Sequence, residues 1–358
     1  MKSQIVEVPH QKQIIAPSKW PVKKLADVHV EALQYCEFGC RYCSSNAGMH
    51  LRMRKQSLDQ AVREHTGDGF DPHASTDLAI RYAGVVDALG EELNTHQSKP
   101  GRGKTLVYSQ LTDGFSPVVE RDGTAREILD LLIDKTDYRI RILTKSSAVG
   151  QKKWIEYFTS HRERFVVGLS IGTTDNAFSK RLEVGTSTPK ARIKALHALQ
   201  DAGVPTYGML CPMFPKVLYD GEIKELVDAI RPQFCEHVWA EPYNERHNWM
   251  HVRDCFAPAS DTYRWMTTVY EEGDKTIWSR YATELYSSLY RLAQSDKWTD
   301  KLRYLLYESD ITSEDACSFE GLDGVLLQSK PGDNGLSQHP EFRRMQLSFQ
   351  GESQLSME

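Results

Sequence analysis

Apolar positions along this chain follow two rhythms. Short runs rich in β-branched and aromatic residues predict six strands: 27–35 (DVHVEALQY), 104–111 (KTLVYSQL), 138–146 (YRIRILTKS), 165–172 (FVVGLSIG), 205–213 (PTYGMLCPM) and 237–243 (HVWAEPY). Helical patterns lie between them. Thr124 and Glu127 have the spacing of a capping box, and Ile128, Leu131 and Leu132 then form an apolar stripe. Thr188 and Pro189 open a helix lined by Ile193, Leu196 and Leu199, which Gly203 closes, and 221–230 (GEIKELVDAI) supplies another. Strands alternating with helices indicate parallel β/α units. The expected fold is α/β, a partial (β/α)6 TIM-type barrel over 26–257 with a helical C-terminal appendage.

Other segments depart from this rhythm. Residues 1–25 carry few periodic apolar positions and two prolines, Pro17 and Pro21, and read as an extended leader. Residues 51–103 form an insertion, expected to be helical at 56–65 and 75–94 and then to loop through HQSKPGRGK. Residues 258–310 read as a helical extension rich in aromatics (Trp265, Tyr270, Trp278, Tyr281, Tyr286 and Tyr290), a stripe that suits packing against the barrel. The tail, 311–358, has low hydrophobic periodicity and is expected to be partly disordered.

The bulk numbers bound the function. With 44 Lys and Arg against 49 Asp and Glu, the net charge is −5, which argues against a protein that coats nucleic acid non-specifically but leaves room for a local basic groove. No run of roughly 18 apolar residues predicts a membrane span, and MKSQIVEVPHQKQ is too polar for a signal peptide. Of the seven cysteines, three crowd into YCEFGCRYCSS (35–45), which points to metal or redox chemistry in a reducing cytoplasm rather than to disulfides.

Cys36, Cys40 and Cys43 are separated by three and two residues. A structural zinc site needs four protein ligands, and the chain offers His50 or a distant thiol such as Cys211 as the fourth, with no second CxxC. A [4Fe–4S] cubane held at only three corners leaves one iron open, and Gly39 relieves backbone crowding inside so tight a loop.

The spacing Cys36-x3-Cys40-x2-Cys43, with Tyr42 before the third cysteine and placed directly after the first strand, resembles the signature of the radical S-adenosylmethionine (SAM) superfamily. Together with LTDGFSPVVE, ILTKSS, SIGTTDNAFSKRLEVGTSTPKARIKALHALQDAGVP and MLCPMFP, it resembles the spore photoproduct lyase-like, or DNA repair photolyase-like, branch over residues 26–245. The resemblance implies an iron–sulfur enzyme of lyase or oxidoreductase type that cleaves SAM reductively to a 5′-deoxyadenosyl radical. An electron donor such as flavodoxin or ferredoxin is implied with it, and a nucleic acid base or nucleotide as substrate. It implies SAM contacts at Thr112, Asp113, Lys145 and Ser170, beside Tyr42. The chemistry agrees: Lys145 suits the carboxylate of SAM, Asp113 its amine or a hydroxyl, and Ser170 either. Each also has an ordinary structural use, Asp113 as a turn residue before Gly114 and Lys145 as a strand-end charge. Glu183 and Arg192 suit a salt bridge as readily as a cofactor contact.

The match fails at two places. Gln110 stands where the spore lyases have their hydrogen-donating cysteine, and Ser44 where they have a tyrosine after the third cluster cysteine, so repair by that family's radical relay is in doubt. Cys211, at the fifth strand's end, is a candidate substitute donor, with a small buried hydrophobe as its other reading. Basic patches at 50–55 (HLRMRK) and 99–104 (KPGRGK) suit phosphates or simply solvent, and Glu241, Tyr243, Asn244 and His247 are candidates for substrate specificity. Two alternatives stand beside this reading: a radical SAM enzyme acting on a peptide or small metabolite, and a non-catalytic zinc-stabilised nucleic-acid binder using the triplet and His50.

Overall fold

In the computed structural model, residues 4–10, 13–18, 25–47, 54–72, 75–244, 248–307, 311–319 and 325–328 are described. The chain forms two compact units. The first comprises Met1–Ser170, Asp175–Thr206 and Glu245–Cys255, and the second Ile171–Thr174, Tyr207–Asn244 and Phe256–Glu358.

The first unit contains β1 (Gln4–Val8), β2 (Ala16–Pro17), β3 (Val28–Val30), β4 (Leu33–Tyr35), β5 (Leu78–Tyr82), β6 (Thr105–Tyr108), β7 (Arg139–Thr144) and β8 (Phe165–Ser170). Its main sheet runs β8-β7-β6-β3-β2. β3, β6, β7 and β8 are mutually parallel, and only β2 is antiparallel to its neighbour. β8 is buried along its whole length, as a strand covered on both faces should be. Helices at Thr124–Lys135, Lys152–Ser160 and Pro189–Asp201 lie between and after these strands, giving the β/α series expected. Thr188 caps the last of them, its hydroxyl accepting from Ala191 N at 3.3 Å, and Gly203 beyond it takes a φ of +73°.

The second unit contains β9 (Thr206–Met213), β10 (Cys235–Pro242), β11 (Leu302–Tyr307) and β12 (Val325–Gln328), in that order across its sheet. β10 and β11 are parallel, as are β11 and β12. The helix Lys275–Ser295 buries Trp278, Tyr281 and Tyr286, so this aromatic stripe is core. Trp278 Nε1 donates to Tyr243 O at 2.8 Å, and the Tyr281 hydroxyl donates to Met213 O. No helix among the described residues is long and apolar enough to cross a membrane.

Four expectations are corrected. The segment 27–35 is two strands in two sheets, because the chain breaks at Glu31–Ala32 and β4 pairs with β5 instead. Residues 78–82, inside the expected helix 75–94, are strand β5, held between β1 and β4 with its apolar side chains buried. The helical extension ends in a strand, β11. The capping box is not formed: the helix starting at Thr124 makes no side-chain cap, and the Asp122 carboxylate accepts from Thr124 N at 3.0 Å instead.

Candidate functional site

The cysteine loop springs from the end of β4. Tyr35 is buried there, and its hydroxyl donates to the carbonyls of Pro72 and Ser75 at 2.9 and 2.7 Å, anchoring the root of the loop. A turn closes over the thiols, with Cys43 N donating to Cys40 O at 3.1 Å. Gly39 has a φ of +58°, and a Cβ on it would lie 2.4 Å from Thr76 Cγ2, so only glycine fits. Cys40 is buried, and Cys36 and Cys43 are half-buried; all three are free thiols.

Backbone pairing joins this loop to the segment after β8. Cys40 bridges Glu183, Arg41 N donates to Leu182 O at 2.8 Å, and Gly185 N donates to Phe38 O at 2.9 Å. Side chains continue the seam. The Tyr42 hydroxyl donates to Glu183 Oε1, while Glu183 Oε2 accepts from Arg192 and from Ser179 Oγ, the latter at 2.7 Å. Arg192 Nη1 also donates to Ser170 O at 2.5 Å. Burial opposes the charge on Glu183, but Arg192 and Lys145 outweigh it and hold the carboxyl below its usual range. Glu183 and Arg192 thus form a buried structural ion pair.

The other expected residues converge on the same region. Asp113 is buried; its Oδ1 accepts from Thr144 Oγ1 at 2.7 Å and Phe115 N at 2.9 Å, and its Oδ2 from Lys145 N at 2.8 Å. This carboxylate therefore ties the loop after β6 to the end of β7. Thr112 Oγ1 donates to Glu31 Oε2 at 2.9 Å. Lys145 Nζ lies 5.5 Å from the centre of the Tyr42 ring and is electrostatically coupled to Cys40. Ser170 ends β8, buried. Tyr42, Thr112, Asp113, Lys145 and Ser170 all belong to the first unit with the cysteines.

Glu31 was not singled out by the sequence. Its carboxylate accepts from the backbone N–H of Gln110, Leu111 and Thr112, at 2.8 Å for Leu111 and 3.3 Å for Thr112. Burial is the main cause that pushes it up to about 7, against those hydrogen bonds. The available signal was a lone acid inside the apolar run VHVEALQY. Immediately beyond, the loop after β6 holds unpaired polar atoms. Ser109 Oγ, Gln110 Nε2 and, at the end of β6 itself, the Tyr108 hydroxyl are buried with no hydrogen-bond partner among the described residues, at a cost of about 1–3 kcal/mol each.

Elsewhere the candidates disperse. Cys211 lies on β9 of the second unit, half-buried, its thiol 3.5 Å from Glu241 Oε2. Tyr243 is core: its N donates to Met213 O at 2.7 Å and its carbonyl takes Trp278. Glu241 and Asn244 are half-buried. His50 and His247 lie outside the described residues. In the first basic patch Arg54 is engaged, donating to Gln34 Oε1 at 2.7 Å, and in the second Lys99, Arg102 and Lys104 are exposed.

Burial pushes the Cys36 and Cys40 thiols up, and the charges of Cys43 and Asp113 add to this at Cys36. Thiols so placed ionise together only with a cation among them. Among the described residues, no three His, Cys, Asp or Glu side chains are gathered to hold one metal ion. A zinc ion draws thiolates to about 2.3 Å from a single point, whereas a cubane takes one thiolate per corner and needs them apart. Three thiols offered by one loop are the donor type that a cubane takes, one per corner.

No protein-family model matches the chain. The uncharacterized protein ORF301 of Acidianus two-tailed virus is 22% identical over 215 residues, which cover 59% of this chain and 65% of that protein. The uncharacterized protein Rv2578c of Mycobacterium tuberculosis is 24% identical over 194 residues, 54% of this chain and 51% of that protein. The matches thus span about half to two-thirds of these relatives' own lengths. Among solved structures, a mutant spore photoproduct lyase has a TM-score of 0.47 at 15% identity, covering 72% of this chain and 67% of its own. Another mutant of that lyase, with bound AdoMet and dinucleoside spore photoproduct, has a TM-score of 0.44 at 14% identity, covering 72% and 66%. Native anSMEcpe with bound AdoMet and a peptide has a TM-score of 0.41 at 11% identity, covering 76% and 61%. Spore photoproduct lyase and anSMEcpe are what this chain is similar to in structure.

Proposed function

We propose that this chain is a radical SAM enzyme whose Cys36, Cys40 and Cys43 hold a [4Fe–4S] cluster at three corners. One observation carries the reading: the three free thiols share a glycine-dependent turn whose backbone is paired to the segment following β8, beside Lys145. When bound, the cluster and SAM would supply a one-electron cleavage of the sulfonium to methionine and a 5′-deoxyadenosyl radical able to abstract a hydrogen atom. The chain's own part is placement. Lys145 offers an ammonium for the SAM carboxylate, and Ser170 a hydroxyl. Tyr42 is held by Glu183, and Thr112 and Asp113 fix the loop after β6. A nucleic acid base or nucleotide is the substrate class proposed, and the electron donor a flavodoxin or ferredoxin of the cytoplasm. Gln110 carries no thiol, so Cys211 with Glu241 beside it is the proposed hydrogen donor of the second unit.

The test is anaerobic reconstitution with iron and sulfide. A brown protein with roughly four irons per chain that makes 5′-deoxyadenosine from SAM and dithionite supports the reading. Cys36→Ala, Cys40→Ala and Cys43→Ala should each lose the visible absorbance. A colourless chain holding one zinc would sink it.

A further inference from the structure

The loop after β6 contains a second feature that cluster binding does not use. Ser109 has a φ of +61°, a conformation that side chains with a Cβ rarely take. Arg231 and Lys297 also have positive φ, but each sits at the C-terminal end of a helix, where this conformation is the ordinary way to stop. Ser109 follows a strand, and no helix end explains it. The Ser109 hydroxyl and the adjacent Gln110 Nε2 are among the buried atoms that have no partner among the described residues, with Ser109 3% exposed and Gln110 7%. The other end of the Gln110 carboxamide is fixed, with Oε1 accepting from Ser18 Oγ at 3.0 Å. Backbone strain and unpaired buried donors on consecutive residues oppose folding, and a loop keeps them where a ligand completes the bonds.

The surroundings select the ligand's chemistry. Glu31 accepts from the backbone of Gln110 itself, and Asp113 lies three residues on. Once ionised, both carboxyl groups disfavour an anion here, whereas a neutral carbonyl oxygen can accept from either donor. We propose that Ser109 Oγ and Gln110 Nε2 form a recognition site for a neutral carbonyl oxygen of the substrate, and, resting on the function proposed above, that this is a nucleobase carbonyl. Gln110 is then a specificity-determining residue in which one carboxamide end is locked by Ser18 and the other serves the ligand.

The experiment titrates the anaerobically reconstituted full chain with thymidine, and separately with N-acetylglycinamide, following binding by calorimetry and thermal unfolding. Thymidine should bind the wild type, and Gln110→Leu should weaken it roughly tenfold or more, with a smaller loss for Ser109→Ala. Without ligand, Gln110→Leu removes an unpaired donor but also the acceptor of Ser18 Oγ, so its unfolding temperature should stay close to that of the wild type. Equal thymidine affinity in wild type and Gln110→Leu, or no thymidine binding to the wild type, overturns the proposal. A Gln110-dependent preference for N-acetylglycinamide overturns the nucleobase assignment. A lower unfolding temperature in both variants, with ordered water on Ser109 and Gln110 in a crystal structure, shows that the atoms serve the fold alone. Formation of 5′-deoxyadenosine by the wild type is measured on the same preparation. Its absence sinks the radical chemistry, while its presence with unaltered thymidine binding sinks only this inference.

Discussion

Two loops of the first unit treat buried polarity in opposite ways. In the seam after β8, Glu183 takes three donors from Tyr42, Ser179 and Arg192, and Arg192 also holds the carbonyl of Ser170. In the loop after β6, Ser109 Oγ and Gln110 Nε2 have none among the described residues. Only Arg192 Nε lacks a partner in that seam among the described residues, and a buried network so largely paired is rigid and specifies one geometry, which is what the proposed cluster loop needs from its support. Unpaired donors destabilise the resting protein and serve only when something else arrives. The difference separates residues that hold the site from residues that read a ligand.

The sharpest way to break this comparison is at Arg192. Removing one partner of a buried ion pair strands the other, at a cost of about 3–5 kcal/mol. Arg192→Met should lower the stability of the cluster-free chain by that amount in denaturant unfolding. The double variant Arg192→Met with Glu183→Gln should regain part of the loss, because no charge is then left unpaired. A loss below about 1 kcal/mol would place Glu183 and Arg192 among ordinary surface pairs and remove their structural role.

How far the sequence reveals this arrangement depends on the distance over which each part is determined. Five of the six strand runs and the helix from Pro189 are local patterns that the structure has, while the run 27–35 is split between two sheets. The cysteine spacing and Gly39 are equally local, since a turn of eight residues carries its own instructions. LAIRY in β5 and LRYLLY in β11 fall in stretches whose local pattern predicts helix, because Leu, Ala and Tyr suit either state, and sheet neighbours decide between them. Glu31 is the extreme case: the amides it binds lie 79 to 81 residues away, so nothing near it in sequence announces its task. Asp113 was visible as a candidate but not in its role, because its partners Thr144 and Lys145 come from another strand.

Glu31 stands between the two loops in kind, fully engaged yet poorly solvated, and pH tests it. In the folded chain it keeps its proton up to about 7, against an ordinary value of 4.5. The native state therefore binds more protons than the unfolded one between those values. The stability Glu31 contributes is full below about pH 4.5 and is lost as the pH rises through about 7. The shift alone corresponds to roughly 3 kcal/mol, and solvent screening of the half-buried group reduces this to about 1–2 kcal/mol. Stability of the wild type relative to Glu31→Gln should fall by that much across the window. A difference that stays flat from pH 4 to about 8 would mean that the carboxylate is better solvated than its contacts imply.

The smallest effect has the opposite sign, and that sign is what distinguishes the loops. Ser109→Gly removes a side chain held at φ +61° and an unpaired hydroxyl, while glycine loses more backbone freedom on folding. The first two gains outweigh the last, for a net stabilisation of about 0.5–1 kcal/mol in the ligand-free chain. Ser109→Ala separates the contributions, since it discards the hydroxyl but keeps the strained backbone, and it should fall between wild type and Ser109→Gly. A substitution that stabilises the chain while weakening thymidine binding is the signature of a residue held at a cost to the fold for the sake of a ligand. If Ser109→Gly destabilises as Arg192→Met does, the loop after β6 belongs with the seam after β8, and its open donors have partners inside the protein.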